Sequence, residues 1–409
     1  MSGTDDLAGA ELTLDVGPVA HGGHCVARHD GRVVFVRHAL PGERVRAVVT
    51  DGGASSRFLR ADAVEVLVAS PDRVAPRCPH AGPGGCGGCD FQHVSVAAQR
   101  RLKAAVVAEQ LQRLAGIDRA VAVEPVTGDD DGLGWRTRER FAIDPAGRAG
   151  LRRHRSHEVL PLGSCPLCHP LVAETGVLDR TWPGVAELEV AVSVSTGEQL
   201  VLADGAPTGR GRLTERAAGR DWRVTGGGFW QVHPGAADAL VGAVRSLAAP
   251  AAGERVVDLY AGVGLFAGAL AEGVGPGGRV DAVESALGAV RDARRNLHDL
   301  PTVRLHHDRV DGWLRRGEVS RCDVVVLDPP RTGAKRDVVE RIARLLPRAV
   351  VYVACDPAAL ARDVETFGRL GWQLAGLRAF DLFPMTHHVE CVALLTRDGQ
   401  RGGGPASSS

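Results

Sequence analysis

Hydrophobic and polar positions give this chain three textures. From Glu11 to Val68, short runs alternate apolar and polar residues with period two. Arg32-Val33-Val34-Phe35-Val36-Arg37 and Glu43-Arg44-Val45-Arg46-Ala47-Val48-Val49 read as strands, with Ala39-Leu40-Pro41-Gly42 as the turn between them. Short strands at this spacing predict a small β-barrel over residues 10–69. Ser70-Pro71-Asp72 marks a boundary. A central unit over residues 70–223 follows: a cysteine- and glycine-rich loop, a helix from Val96 to Leu114 with Leu102, Val106 and Leu114 on one broad apolar face, then a β-rich stretch broken by Gly and Pro.

From Thr225 the pattern changes again. Arg255–Leu259, Arg279–Val283, Val303–His306, Val324–Leu327, Ala349–Val353 and Val389–Leu395 read as strands, with helical stretches between most of them. Strands alternating with helices predict a Rossmann-like, doubly wound α/β sheet over residues 224–400. The Gly/Ser-rich tail, residues 401–409, reads as disordered.

Composition narrows the class. Hydrophobic residues make up 44% and charged residues 24%, an ordinary globular balance. No apolar run reaches the about eighteen residues of a membrane span, and the polar, acidic start is no signal peptide; the chain reads as cytoplasmic. Forty-nine basic residues match forty-nine acidic ones, which excludes a broadly basic nucleic-acid coat. A local strip stays open: Arg136, Arg138, Arg140, Arg148, Arg152, Arg153 and Arg155 crowd one stretch and suit phosphate oxygens. Lysine occurs only at 103 and 335.

Candidate chemistry sits at predicted strand ends. Cys355 closes the run Val351-Tyr352-Val353-Ala354 and is followed by Asp356-Pro357-Ala358. A thiol at the carboxyl end of a strand is where open α/β sheets do chemistry, and the helix start after it favours thiolate. Asp258-Leu259-Tyr260-Ala261-Gly262-Val263-Gly264 carries a strand into a glycine turn, and Glu284 ends the next strand twenty residues after Gly264. This order suits a nucleoside ligand whose ribose a carboxylate binds; Asp258 favours a cationic, phosphate-free one such as S-adenosylmethionine. Asp328-Pro329-Pro330-Arg331 follows an apolar strand, and its prolines fix a rigid turn. Nine cysteines are present, clustered as in cytosolic metal or catalytic proteins. Cys78, Cys86 and Cys89 need a fourth partner, with Cys165 and Cys168 both candidates; the spacing fits zinc or an iron–sulfur cluster. His387 and His388, adjacent on an expected strand, should point to opposite faces.

Taken together, Gly228-Phe229-Trp230-Gln231-Val232, the glycine loop, Asp328-Pro329-Pro330-Arg331, Tyr352-Val353-Ala354-Cys355-Asp356-Pro357 and Phe383-Pro384-Met385-Thr386-His387-His388-Val389-Glu390 resemble the RNA uracil-C5 methyltransferases. The resemblance covers nearly the whole chain, and the first unit resembles the TRAM domain of the ribosomal-RNA branch. It implies S-adenosylmethionine contacts at Gln231, Tyr260, Glu284 and Asp328, around Gly262 and Gly264, with Asp308 on the adenine side. It further implies Cys355 as nucleophile, Glu390 as base, and a structural 4Fe–4S cluster on Cys78, Cys86, Cys89 and Cys165, with zinc the alternative. Leu265, His233 and Asp356 depart from residues frequent in the family. Seven residues, not five, separate Cys78 from Cys86. The implied partner is ribosomal or transfer RNA, the implied state a monomer. Two rival readings are an exocyclic-amino methyltransferase acting on adenine or guanine, and an RNA-binding factor without catalysis.

Overall fold

The fold was analysed in a computed structural model that describes residues 6–128 and 131–397; the Gly/Ser-rich tail lies outside the described residues. Strands β1 (Glu11–Asp15), β2 (Cys25–His29), β3 (Arg32–Arg37), β4 (Arg44–Asp51) and β5 (Phe58–Val68) form one sheet in the order β1-β4-β5-β3-β2. Both strands expected from the sequence are present, but they do not pair with each other. β5 lies between them, antiparallel to β4 and parallel to β3. The reason is local: Asp30 and Gly31 both take positive φ (48° and 78°), which makes a tight β2–β3 hairpin and uses one edge of β3. Val34, Val36, Val45, Ala47, Leu59 and Ala61 fill the core of this unit.

Helix α1 (Val96–Ala115) ends at Gly116, which takes the left-handed conformation of a helix stop. Its apolar residues do not form one face. Ala98 and Val106 pack into the barrel core, whereas Val107 and Leu111 pack into the core of the last unit. The helix is wedged between two bodies, so its polar Gln99 and Lys103 are buried as well.

Beyond β6 (Val123–Glu124), strands β7 (Arg138–Ile143), β8 (Ala149–Arg152) and β9 (Val159–Pro161), a short α2 (Pro170–Ala173), and strands β10 (Glu187–Val192), β11 (Gln199–Ala203) and β12 (Ala206–Pro207) build an antiparallel sheet in the order β12-β11-β10-β7-β8-β9. The hairpin β13 (Arg212–Ala217) and β14 (Arg220–Thr225) leads to α3 (Ala236–Ala248).

The remaining elements alternate: β15 (Arg255–Leu259), α4 (Leu265–Val274), β16 (Arg279–Glu284), α5 (Leu287–Asn296), β17 (Val303–His307), α6 (Val310–Arg316), β18 (Val324–Leu327), α7 (Lys335–Arg344), β19 (Ala349–Ala354), α8 (Pro357–Arg369), β20 (Trp372–Phe380) and β21 (Glu390–Arg397). They form an eight-stranded sheet in the order β17-β16-β15-β18-β19-β21-β20-β6. β15 to β19 are parallel and covered on both faces, which is why β18 and β19 read as unbroken apolar runs. The order reverses between β15 and β18, the crevice where such sheets bind ligands. β20 was not expected from the sequence, because a bulge between Leu374 and Gly376 breaks its alternation. Its presence sandwiches β21, the strand of Glu390, between β19 and β20.

Candidate active site

Antiparallel pairing of β19 with β21 sets Ala354 opposite Cys391. Continued one step, that register brings Cys355 and Glu390 side by side at the end of the sheet. Asp328, just past the neighbouring strand β18, completes the group. Glu390 is buried at 4% exposure; Asp328 is half-buried. Burial, followed by the Asp328 charge, holds the Glu390 carboxyl well above the usual carboxylate range. Burial lifts Asp328 to about 7. Two crowded carboxyls in a dry site hold protons that water would take.

Cys355 departs from expectation. Burial first, then the Glu390 and Asp328 charges, pushes its thiol up to about 12, against a smaller opposing effect of Arg331. The helix start does not prevail. Asp356 caps α8 by accepting from Ala359 N at 2.7 Å.

The glycine loop lies at the sheet's reversal point. Tyr260 (φ 65°) and Gly262 (φ 56°) take left-handed backbone. Gly264 also takes left-handed backbone (φ 93°), which calls for glycine, and a Cβ there would press on Leu297 at the end of α5. Gly262 N donates to Glu284 Oε2 at 3.0 Å, tying the loop to the end of β16. Asp258 is fully buried: one oxygen accepts from Ala267 N at 2.8 Å, the other has no partner, and burial raises its pKa to about 8. It anchors the start of α4.

Tyr260 opens onto a cavity of about 530 Å³ with Ser285, Arg309, Asp311, Pro330 and Thr332 on its walls. Asp311 and Arg309 carried no signal in the sequence. Asp308 is turned to α6, where its carboxylate pairs with Arg316 and accepts from Arg309 N at 2.7 Å. Gln231 lines a separate cavity of about 150 Å³ with Thr137, Glu215 and Trp230. The loop after Asp328 is held from below, since Asp363 Oδ2 accepts from Ala334 N (2.7 Å) and from the Tyr352 hydroxyl (2.6 Å).

Cys78, Cys86, Cys89 and Cys165 line one cavity whose other walls include Leu151, Leu162 and Arg136. Cys168 is not among its walls; it hydrogen-bonds Cys165, which lowers the Cys165 pKa. The loop wraps tightly, since a Cβ on Gly85 would fall 2.2 Å from His80 O. Gly88 N reaches Cys86 Sγ at 3.3 Å, a contact suited to a thiolate. Among the described residues, no three His, Cys, Asp or Glu side chains converge as ligands of a single ion.

Two expectations are corrected. His387 and His388 lie in a turn before β21, and their rings approach to 4.1 Å instead of diverging. His387 Nδ1 is within 2.6 Å of Asp90 Oδ2. The arginine strip is mostly neutralised: Arg136 pairs with Glu139, Arg138 with Glu215, Arg140 with Glu189, Arg148 with Asp144, Arg153 with Glu158 and Arg155 with Asp51.

A doubly wound sheet with a carboxylate-flanked glycine loop at its reversal point, joined to a small barrel, defines a methyltransferase of the S-adenosylmethionine-dependent class. Residues 7–64 match the TRAM domain, and residues 314–398 match the tRNA (Uracil-5-)-methyltransferase family. An RNA methyltransferase of Streptomyces avermitilis is 49% identical over 95% of this chain and 98% of its own. The 23S rRNA (uracil(1939)-C(5))-methyltransferase RlmD of Alkalilimnicola ehrlichii is 34% identical over 93% of this chain and 96% of its own. The fold matches that of the tRNA (uracil-54, C5)-methyltransferase of Pyrococcus abyssi, solved with S-adenosyl-L-homocysteine, with a TM-score of 0.68 over 93% of this chain and 99% of that one at 24% identity. The chain belongs to the RNA (uracil-C5) methyltransferases. Among the described residues, no helix is long and apolar enough to cross a membrane.

Proposed function

We propose that this enzyme methylates C5 of a uridine in ribosomal RNA through a covalent adduct with Cys355. The observation that carries this reading is the pairing of a thiol and a buried carboxyl on adjacent strand ends beside the cofactor crevice. Uracil C5 is a weak nucleophile. Addition of the Cys355 thiolate to C6 moves the C5–C6 π pair into an enolate, and C5 then takes the methyl group. The sulfonium of S-adenosylmethionine supplies that methyl and leaves as a neutral thioether. Glu390, in its ionised form, removes the C5 proton, and the Cys355–C6 bond breaks to restore the ring. In this reading Tyr260, Gly262, Gly264, Glu284 and Asp328 hold the cofactor, with Gln231 and Asp308 as outlying contacts. An exocyclic-amino transfer would give the thiol no task.

The barrel and the ribosomal-RNA relative favour a ribosomal substrate; the family name keeps transfer RNA as the alternative. Residues 10–69, 70–223 and 224–400 are read as barrel, central and catalytic units of a cytoplasmic monomer. The four cysteines line one cavity, and the family resemblance favours a 4Fe–4S core there over zinc. Its chemistry here would be structural, pinning the loop from Cys78 to Cys89 to Cys165. Iron and acid-labile sulfide in anaerobically purified protein, in place of zinc, is the expected analysis.

The test is incubation with S-adenosylmethionine and 5-fluorouracil-substituted RNA, ribosomal and transfer RNA side by side. Fluorine at C5 cannot leave as a proton does, so a covalent protein–RNA species should persist with the ribosomal RNA. Cys355→Ser should abolish it, while Cys391→Ser should not. Methylation without any adduct would overturn the reading.

A further inference from the structure

We propose that Lys103, Gln99 and Asp381 are positioning residues for the proton-abstraction step, acting through the segment that delivers Glu390. This rests on the assignment of Glu390 as base. Asp381 opens the nine-residue connection between β20 and β21 that ends just before Glu390. A hairpin connection that long does not fix its own geometry as a two-residue turn does. Here helix α1 fixes it, from nearly three hundred residues earlier in the chain.

Lys103 Nζ lies 2.5 Å from Asp381 Oδ1, and neither side chain has any exposure. The same ammonium donates to Phe383 O at 2.9 Å. One turn earlier on α1, Gln99 Oε1 accepts from Met385 N at 2.7 Å, while its Nε2 donates to Phe91 O and Val94 O. Met385 takes a left-handed backbone (φ 64°), which a side chain of its type rarely adopts unless its surroundings impose it. Its carbonyl is held too, accepting from Asp90 N (3.0 Å) and Phe91 N (2.9 Å) of the cysteine loop. Three anchors thus fall at positions 381, 383 and 385, and a fourth, Asp90, grips His387. A chain that uses arginine almost throughout keeps a lysine at this place. The compact ammonium reaches a carboxylate and a carbonyl in a pocket where a planar guanidinium fork would need more room.

None of these groups touches the reacting atoms. Their effect is on where the Glu390 carboxyl stands relative to C5. Misplacement by about 1 Å can slow a step about 100-fold, and the step affected should be proton removal, not adduct formation, because Cys355 ends β19, which the parallel strand β18 holds on the side away from β21.

The experiment compares Gln99→Met, Lys103→Met/Asp381→Asn and Glu390→Gln with the parent enzyme, all as full-length protein. The double variant avoids stranding a buried charge; Gln99→Met serves if it does not fold. Single-turnover reactions on RNA carrying [5-3H]uridine read tritium release, and denaturing gels read the covalent protein–RNA species. Melting temperature and S-adenosylmethionine affinity check integrity. Tritium release should slow about 10- to 100-fold with adduct formation within about twofold of the parent, so that methylated adduct accumulates as in Glu390→Gln. If adduct accumulates in Glu390→Gln but adduct formation and tritium release change together in the other two, the positioning role is wrong. If Glu390→Gln itself accumulates no adduct, the base assignment fails, and the positioning role with it.

Discussion

At the scale of single residues, the site is built on conflict. A thiol and two carboxyls share a nearly dry corner, and each makes ionisation of the others harder. The signs work in one direction: negative charge beside Cys355 raises its pKa, so removing that charge must lower it. Glu390→Gln should therefore speed alkylation of Cys355 at pH 8.5, by about tenfold for each unit the thiol descends, while eliminating turnover. Mass-spectrometric rates of iodoacetamide labelling at that cysteine test this; slower or unchanged labelling would mean the carboxylate does not act on the thiol. The grouping of Cys355, Asp328 and Glu390 was legible in the sequence because the first two follow apolar strands and the third opens one, each in a recognisable fragment. Lys103, Gln99 and Asp381 were not, because their contacts join positions 278 to 286 residues apart.

At the scale of elements, the sequence carried the parallel strands and α1 but neither the bulged β20 nor the pairing order of the barrel. Periodicity reports which face is buried, not which strand lies alongside. The same gap concealed a link between barrel and catalytic sheet. The loop before β2 brings His21 Nε2 within 3.2 Å of Asp356 Oδ2, next to Cys355 in the chain, and Gly23 against His387. The hydrogen bond to Asp356 raises the His21 pKa, against a lesser cost of burial. A raised histidine pKa contributes stability that is complete below its unfolded value of 6.5 and is lost as pH climbs through the folded value. His21 is more than a third exposed, so solvent screening limits the contribution to at most about 1 kcal/mol. His21→Gln should lower the melting temperature at pH 6 and leave it unchanged at pH 9. An equal loss at both pH values would show that packing, not charge, makes the contact.

At the scale of the whole molecule, net charge is zero and most arginines are already paired, so contact with a polyanion must depend on the few that are not. The expected strip between Trp135 and His157 is largely spent on carboxylates from other strands; Arg138, for instance, is neutralised by Glu215, 77 residues away. A better candidate lies at the open end of the β13–β14 hairpin. There Arg210, Arg212, Arg223 and Thr225 line a cavity of about 420 Å³. Arg210 is paired with Glu198. Arg223 Nε is buried without a partner, and after burial the charges of Arg212 and Arg295 do most to depress its pKa. The nearby acid Asp292 is engaged by Thr225 N and Oγ1 and lies 3.6 Å from Arg295. Four guanidiniums thus face two carboxylates that already have work, three residues before Gly228-Phe229 and its 70%-exposed aromatic ring. RNA phosphates would relieve that excess. If two of them do, Arg212→Ala/Arg223→Ala should flatten the dependence of log affinity on log salt by about 1.4 for single-stranded RNA, at about 0.7 per lost contact. S-adenosylmethionine affinity should not change, because the cofactor crevice lies on other residues. Filter-binding titrations from low to high salt measure the slope directly; parallel lines for variant and parent would remove this pocket from the RNA's path.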